Sequence, residues 1–250
     1  MDLTLVAFYG PKPRSLTGLV AELQRELHDL LGDGFEAYPL QQVHATIVGL
    51  EGEWVGGSLV NVNYRRVQGR EAPMSIRRVV EVARAALPLT IRVAGYRRRQ
   101  SYPFTSRGLH PYVRSFSIQG GTAVAMGWPF DGGGYSQRLG ELRRRFEEAG
   151  VLHKYHVPGG ELDNDLFLVL GRVAGQRETG RSPEAAEDAL REMLASRDPL
   201  ELDVTRERLA LVAYDDPRLP AGTSRSFALH EADKTIGEIE ALYREGPGTR

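Results

Sequence analysis

The segment VHATIVGL, residues 43–50, places a His-x-Thr triplet at the start of a short apolar run. A run of this length, rich in β-branched residues, predicts a buried strand. The segment LTLVAFY, residues 3–9, predicts an earlier strand of the same kind. Between them, apolar residues recur at steps of three and four from Leu16 to Leu31 until Gly32 interrupts the pattern, which predicts an amphipathic helix.

The same order of elements continues downstream and then recurs. Residues 76–87 predict a second helix, which Pro88 ends, and residues 89–96 predict a third strand. In the second half, strands are predicted at residues 122–128, 165–173 and 208–214, with helices at residues 139–146 and 186–194. Both halves therefore have the order β-α-β-α-β, and their first strands lie about 120 residues apart. This spacing indicates an internal duplication at the level of element order.

We therefore predict an α+β fold, with two pseudo-symmetric β-α-β-α-β lobes whose antiparallel-type sheets surround a central cleft. Residues 1–250 form a single bilobal domain in this prediction. Lobe 1 covers about residues 1–96, and a connecting hairpin segment covers about 97–121. Lobe 2 covers about 122–230, and a C-terminal helix follows at about 231–245.

Composition and motifs exclude several classes of protein. The chain has no cysteine, so disulfides, thiolate metal sites and cysteine nucleophiles are absent. The G-x-x-x-x-G-K-[ST], G-x-G-x-x-G, G-x-S-x-G and H-E-x-x-H motifs are also absent, and His153 and His156 lack acidic neighbours at metal-ligand spacing. We therefore expect neither a cofactor nor a metal. Asp2 stands where a signal peptide carries basic residues, and no apolar run is long enough to span a membrane, so we expect a cytoplasmic protein that does not contact membranes.

Charge is distributed unevenly along the chain. The formal net charge is −1, yet residues 82–130 contain seven arginines and no aspartate or glutamate. Aromatic residues are interleaved with these arginines, and the combination suits phosphate neutralisation and base stacking. The candidate substrate-binding residues are Tyr96, Arg97, Arg98, Arg99 and Arg107. The alternative is a solvated, arginine-bearing hairpin without a ligand.

His44 and Thr46 are the first candidate catalytic residues. Because side chains alternate along a strand, both project from the same face, close enough to reach one phosphate. An imidazole accepts or donates a proton near neutral pH, and a threonine hydroxyl can donate to a phosphate oxygen. The alternative for His44 is a structural role in the interior.

The duplicated element order, with a strand that opens on the triplet His44-Ala45-Thr46, resembles the two-histidine (2H) phosphoesterase superfamily. This superfamily includes RNA 2′,3′-cyclic phosphodiesterases and the so-called 2′-5′ RNA ligases. The resemblance implies two lobes around a cleft, one His-x-Ser/Thr motif from each lobe and no obligatory metal. One histidine then acts as general base and the other as general acid, while the two hydroxyls hold the phosphate.

The second motif is degenerate. The position that duplicates His44 is Leu166, and a shift of one residue leads to Asp165 or Phe167. Asp165 is therefore a candidate catalytic acid or base, and Asp163 shares its face by alternation. In a second interpretation, His153 or His156 reaches the cleft from the preceding loop. In a third, the second half of the chain has no catalytic role.

The leading functional hypothesis is a metal-independent phosphoesterase that acts on a cyclic nucleotide or an RNA-terminal phosphate by histidine-based acid-base catalysis. The first alternative is a catalytically degenerate 2H-like module that binds a nucleotide or RNA. The second is a soluble interaction protein whose arginine-rich segment binds an acidic partner.

Overall fold

The computed structural model describes residues 1–155, 163–174 and 182–244. Helices and antiparallel strands alternate along these ranges, so the protein is α+β, as predicted. The strands are β1 (Asp2–Ala7), β2 (Phe35–Ala37), β3 (Ala45–Gly49), β4 (Gly52–Val55), β5 (Ser58–Asn61), β6 (Leu89–Val93), β7 (Phe116–Gln119), β8 (Thr122–Asp131), β9 (Gly134–Tyr135), β10 (Leu166–Val173), β11 (Leu200–Val204), β12 (Leu209–Tyr214) and β13 (Arg225–Ala228). The α-helices are α1 (Arg14–Leu31), α2 (Val62–Gln68), α3 (Ile76–Ala86), α4 (Pro111–Arg114), α5 (Arg138–Arg145), α6 (Pro183–Ser196) and α7 (Ala232–Arg244).

Eleven of these strands form one antiparallel sheet, and β4 pairs with β5 in a separate hairpin. The main path of the sheet runs β11-β6-β8-β10-β3-β1-β12-β13, while β2, β7 and β9 pair with strands beside this path. Its two four-stranded groups meet where β3 lies next to β10, through the residue pair Ala45 and Leu168. The His-x-Thr strand therefore lies at the centre of the sheet.

The strand pairing departs from the expected lobe boundaries. β6 belongs to the expected lobe at residues 1–96, yet it pairs with β8 and β11. β12 belongs to the expected lobe at residues 122–230, yet it pairs with β1 and β13. β6 and β12, the third predicted strands of the two halves, therefore each belong to the four-stranded group that contains strands of the other half. Local patterns predict the type of an element, but its pairing depends on which sheet edge it reaches in the folded chain.

The connecting segment at residues 97–121 leads into the β7–β8 hairpin, whose turn consists of Gly120 and Gly121. Both glycines have positive φ angles, +54° and +76°, which L side chains rarely adopt, and such turns join antiparallel strands tightly. At the other end of the chain, α7 occupies the range where the C-terminal helix is expected.

The main core lies on the face of the sheet that carries the helices. Helix α1 buries the apolar stripe that its sequence predicts, namely Leu16, Leu19, Val20, Leu23, Leu27, Leu30 and Leu31. Helices α3, α5, α6 and α7 bury apolar residues in the same core. The central strands contribute alternate residues to it, among them Ala45 and Ile47 of β3 and Leu166, Leu168 and Leu170 of β10.

The opposite face of the sheet carries two smaller apolar clusters. One contains Val6, Ala210, Val212, Tyr214 and Leu219, from β1, β12 and the following loop. The other contains Tyr96, Val124, Met126, Trp128 and Phe130, most of them from β8. β3 and β10 run between the two clusters, and alternation places Thr46 and Phe167 on this face.

Candidate functional site

His44 directly precedes β3 and is held in a fixed orientation. Its Nδ1 lies 2.7 Å from the carbonyl oxygen of Gln42, and the Tyr9 ring packs edge-on against the imidazole with 6.0 Å between centroids. Because a carbonyl only accepts hydrogen bonds, Nδ1 carries the proton in this arrangement. Nε2 then carries the lone pair, and it has no hydrogen-bond partner within the described ranges.

The surroundings of His44 favour the neutral imidazole. The pKa of His44 is lowered to about 4, chiefly by burial; the hydrogen bond to Gln42 opposes this shift, and the charge of Lys12 adds to it. The residue is 6% exposed. A neutral imidazole with Nε2 unprotonated can accept a proton from water or a hydroxyl group, which is the chemistry of a general base.

Lys12 is a member of this site that the sequence analysis missed. Its Nζ donates to the carbonyl oxygen of Gly10 at 2.9 Å and lies 3.5 Å from that of Gln41. The Gly10 N–H donates to the same Gln41 carbonyl at 2.8 Å, so the loop after β1 is tied to the turn that carries His44. Burial lowers the pKa of Lys12 to about 8. The available signal was the rarity of lysine in this chain and the position of Lys12 just after the first strand.

The loop that carries Lys12 begins with a strained residue. Phe8, fully buried directly after β1, has a φ of +63°, which is a rare conformation for a bulky side chain. Its N–H donates to the carbonyl of Arg208 at 2.9 Å, and this bond helps to hold the turn. The turn directs the chain toward His44, where Tyr9 contacts the imidazole.

Thr46 offers a free hydroxyl beside His44. It pairs with Val6 of β1 and is partly buried. Its side chain forms no hydrogen bond with any residue in the part of the chain that the structure describes. The hydroxyl is therefore available to donate to a ligand.

Arg143 of α5 fixes the strand that carries Thr46. The guanidinium is 4% exposed, and it donates to the carbonyl oxygens of Thr46 at 3.0 Å and Ile47 at 2.9 Å. It also donates to the carbonyl oxygens of Asp163 at 2.9 Å and Asp165 at 3.0 Å. Arg143 thus connects β3 to the start of β10, and nothing in its sequence context predicts this role.

Asp165 is buried in a hydrogen-bonded network. Its carboxylate accepts from the Ser106 hydroxyl at 2.8 and 2.9 Å, the Trp128 indole at 2.6 Å and the Arg114 guanidinium at 3.1 Å. The carboxylate is therefore saturated with donors, two of them from residues 97–121. This geometry does not support the predicted catalytic role of Asp165, because its oxygens are already used to hold the connecting segment.

His153 also lies in a buried pair. Its Nε2 donates to Asp163 at 2.9 Å, and its pKa is lowered to about 4 by burial and by the charge of Arg143. Burial alone would raise the pKa of Asp163, but the hydrogen bond from His153 and the charge of Arg143 outweigh it and hold that pKa below its ordinary value. His153 is thus engaged by Asp163, and His156, the other candidate, lies outside the described residues.

On the face of the sheet that carries Thr46, β10 presents apolar side chains. Leu166 and Leu168 point into the helix-side core, so alternation places Phe167 on the face shared with Thr46. Phe167 packs beside the aromatic cluster around Trp128. β10 therefore offers no second imidazole or hydroxyl on this face.

The predicted binding residues occupy different environments. Tyr96 is 1% exposed and packs edge-to-face on Trp128 with 4.8 Å between centroids, so its predicted contact with substrate is not supported. Arg97, Arg98 and Arg99 are exposed and form no ion pair with a carboxylate in the described part of the chain. Arg107 is also exposed, and its guanidinium lies over the rings of Tyr155 at 4.8 Å and Phe167 at 5.5 Å.

Acidic residues of the second half neutralise the remaining arginines of the acid-free segment. Arg84 pairs with Asp233, Arg92 with Glu201 and Arg114 with Asp165. Arg107 approaches Asp163 and Asp165 at 3.9 and 3.8 Å. The unpaired positive charge of this segment is therefore concentrated at residues 97–99.

The described ranges were also compared with the requirements of a membrane-spanning helix and of a metal site. None of their helices has the length and apolarity that crossing a membrane requires. In those ranges, no three histidine, aspartate or glutamate side chains form a group able to hold a metal ion.

Comparison with solved structures shows a distant likeness, whereas the other two comparisons find no match. No protein-family model matches the chain, and no curated protein matches it. Among solved structures, the chain is similar to TT0787 of Thermus thermophilus, with 16% sequence identity and a TM-score of 0.44. The match covers 91% of this chain and 95% of that chain. At this distance the likeness carries no functional conclusion.

Proposed function

We propose that this protein is a metal-independent phosphoesterase of the 2H type that acts on a cyclic nucleotide or an RNA-terminal phosphate. The observation that carries the proposal is the hydrogen bond from His44 Nδ1 to the Gln42 carbonyl, which leaves Nε2 as a fixed, unprotonated base. The Thr46 hydroxyl, which has no hydrogen-bond partner among the described residues, lies on the same face and is available to a phosphate oxygen.

In this proposal His44 is the general base. Nε2 accepts a proton from the attacking water as its oxygen bonds to phosphorus, and the Gln42 carbonyl stabilises the imidazolium that forms. Thr46 donates to a nonbridging oxygen of the phosphate. The unpaired arginines at residues 97–99 attract the polyanionic substrate over a longer range.

The test is hydrolysis of 2′,3′-cyclic nucleotides and of short RNAs that end in a cyclic phosphate, with a chelator present. We expect turnover by the parent protein and a loss of at least about 100-fold in His44→Ala, the usual range for a general base. His28→Ala, an exposed histidine of α1, is the matched control and should retain the parental rate. An inactive parent, or a His44→Ala variant as active as the parent, would falsify the proposal.

The saturated carboxylate of Asp165 favours a second candidate, a 2H-like module that binds a nucleotide or an RNA end without turnover. This function requires tight, salt-dependent binding of a nucleoside 2′- or 3′-phosphate by a protein that does not hydrolyse cyclic phosphates. Replacing Arg97, Arg98 and Arg99 by alanine should weaken that binding and reduce its dependence on salt concentration. Detectable hydrolysis that depends on His44 would exclude this candidate.

A further inference from the structure

The proposed reaction requires a second proton-transfer group, for which the sequence offered Asp165, His153 and His156; His156 lies outside the described residues. Hydrolysis of a cyclic phosphate releases a ribose oxygen, which needs a proton as its bond to phosphorus breaks. Asp165 is saturated by Ser106, Trp128 and Arg114, and His153 is paired with Asp163. Both groups are therefore already engaged by other side chains.

Lys12 is the charged side chain whose field acts on the pKa of His44. The carbonyls of two consecutive residues connect the two groups, because that of Gln41 lies 3.5 Å from Lys12 Nζ and that of Gln42 accepts from His44 Nδ1. Tyr9 lies on the imidazole, three residues before Lys12. The ammonium and the imidazole therefore belong to one compact unit made of the β1–α1 loop and the turn before β3.

The bonding of Lys12 leaves a proton available. An ammonium has three N–H donors, and the contacts of Nζ are the Gly10 carbonyl at 2.9 Å and the longer approach to Gln41. Lys12 forms no ion pair with a carboxylate in the residues that the structure describes. Burial lowers its pKa to about 8, so the ammonium gives up a proton more readily than an ordinary lysine.

We propose, resting on the proposed phosphoesterase function, that Lys12 is the general acid that replaces the missing second histidine. Water attacks phosphorus while His44 Nε2 accepts its proton. The bond from phosphorus to the 2′ or 3′ ribose oxygen breaks, its electron pair stays on that oxygen, and Lys12 Nζ donates a proton to it. His44 then releases its proton to solvent, and Lys12 recovers one from solvent.

The test compares two leaving groups in one set of variants. A 2′,3′-cyclic nucleotide releases an alkoxide that needs a proton, whereas a 4-nitrophenyl nucleotide ester releases a nitrophenolate that does not. We expect Lys12→Met and Lys12→Arg to lose about 100-fold in kcat on the cyclic substrate and less than about 5-fold on the nitrophenyl ester. Lys234→Met, a substitution of an exposed lysine in α7, is the control and should match the parent on both.

The possible results distinguish failure of the acid role of Lys12 from failure of the proposed phosphoesterase function. Equal losses on both substrates, or full activity of Lys12→Arg, would overturn the acid role of Lys12 while His44-dependent hydrolysis persists. An inactive parent would overturn both proposals.

If a Lys12 variant does not fold, the pKa of Lys12 in the parent protein provides a second test. The chain has three lysines, so ¹³Cε NMR resolves three titrations, which single lysine-to-arginine variants assign. Lys12 should titrate near pH 8, and a midpoint above pH 10 would overturn the inference.

Discussion

Arg114 and Asp165 form a buried ion pair, with 3.1 Å between the guanidinium nitrogen and a carboxylate oxygen. Fifty-one residues separate the two partners in the chain. The pair fastens the connecting segment at residues 97–121 to the start of β10. The position from which a second catalytic group was expected therefore stabilises the fold instead.

Asp165→Asn should destabilise the protein strongly and leave the intrinsic rate per folded molecule unchanged. Removing the carboxylate charge leaves Arg114 buried without its counter-ion, a change that costs about 3–5 kcal/mol. Urea unfolding followed by tryptophan fluorescence measures the loss. Asp188→Asn, which breaks the exposed pair with Arg191, is the control and should cost less than about 1 kcal/mol. A variant of parental stability that had lost turnover would instead establish a catalytic Asp165.

Thr46→Val should weaken substrate binding with little effect on stability. The Thr46 hydroxyl has no partner among the described residues, so removing it leaves no protein group unsatisfied. A hydrogen bond to a charged phosphate contributes about 1.5–3 kcal/mol, so the variant should need at least about ten times more substrate to reach half of its maximal rate. Thr4→Val is the matched control, because the Thr4 hydroxyl donates to the Val48 carbonyl at 3.2 Å. That variant should lose about 1 kcal/mol of stability and show the parental dependence of rate on substrate concentration.

Arg143→Met should destabilise the junction between β3 and β10, and it should reduce activity at the same time. The substitution removes a charged donor from four backbone carbonyls, which predicts a loss of at least about 3 kcal/mol. The neighbouring exposed Arg144→Met should change stability by less than about 0.5 kcal/mol. Equal stabilities of the two variants would contradict the role assigned to Arg143.

Stability should fall as the pH is lowered from 6.5 to 5. His44 and His153 have folded-state pKa values of about 4, below the ordinary value of 6.5. In this window the unfolded chain binds more protons than the folded chain, so the free energy of unfolding rises with pH. Each histidine accounts for roughly 1.5 kcal/mol between pH 6.5 and pH 5.

Chemical denaturation across that pH range measures the slope. His44→Gln should remove about half of it, whereas His28→Gln, at an exposed position in α1, should leave it unchanged. A slope that persists in a variant lacking both His44 and His153 would show that other groups cause it.

Local patterns predicted six of the thirteen strands and five of the seven α-helices in the described ranges. The steps of three and four between leucines placed α1 and its buried face, and the alternation in residues 43–50 placed Thr46 opposite Ala45 and Ile47. The hairpin expected within residues 97–121 is present as β7 and the turn that joins it to β8. These features depend on residues within a few positions of one another, which a sequence displays directly.

The site was only partly predictable. His44 and Thr46 form a short-range motif, and the structure places them together at the centre of the sheet. Lys12 and Arg143 were missed, because Lys12 meets residues 29 positions away and Arg143 meets strand carbonyls 96 and 97 positions away. Tyr96 was assigned to binding, but packing against Trp128 buries its ring.

The sequence by itself determined six of the strands, five of the helices and the single His-x-Thr motif. Tertiary structure alone decided that β6 and β12 pair with strands of the opposite half, and that Asp165 is saturated by donors 37 to 59 residues away. The physical reason is the range of the forces involved. Backbone periodicity acts over a few residues, whereas the pairing of a strand edge or a buried carboxylate depends on what the folded chain brings next to it.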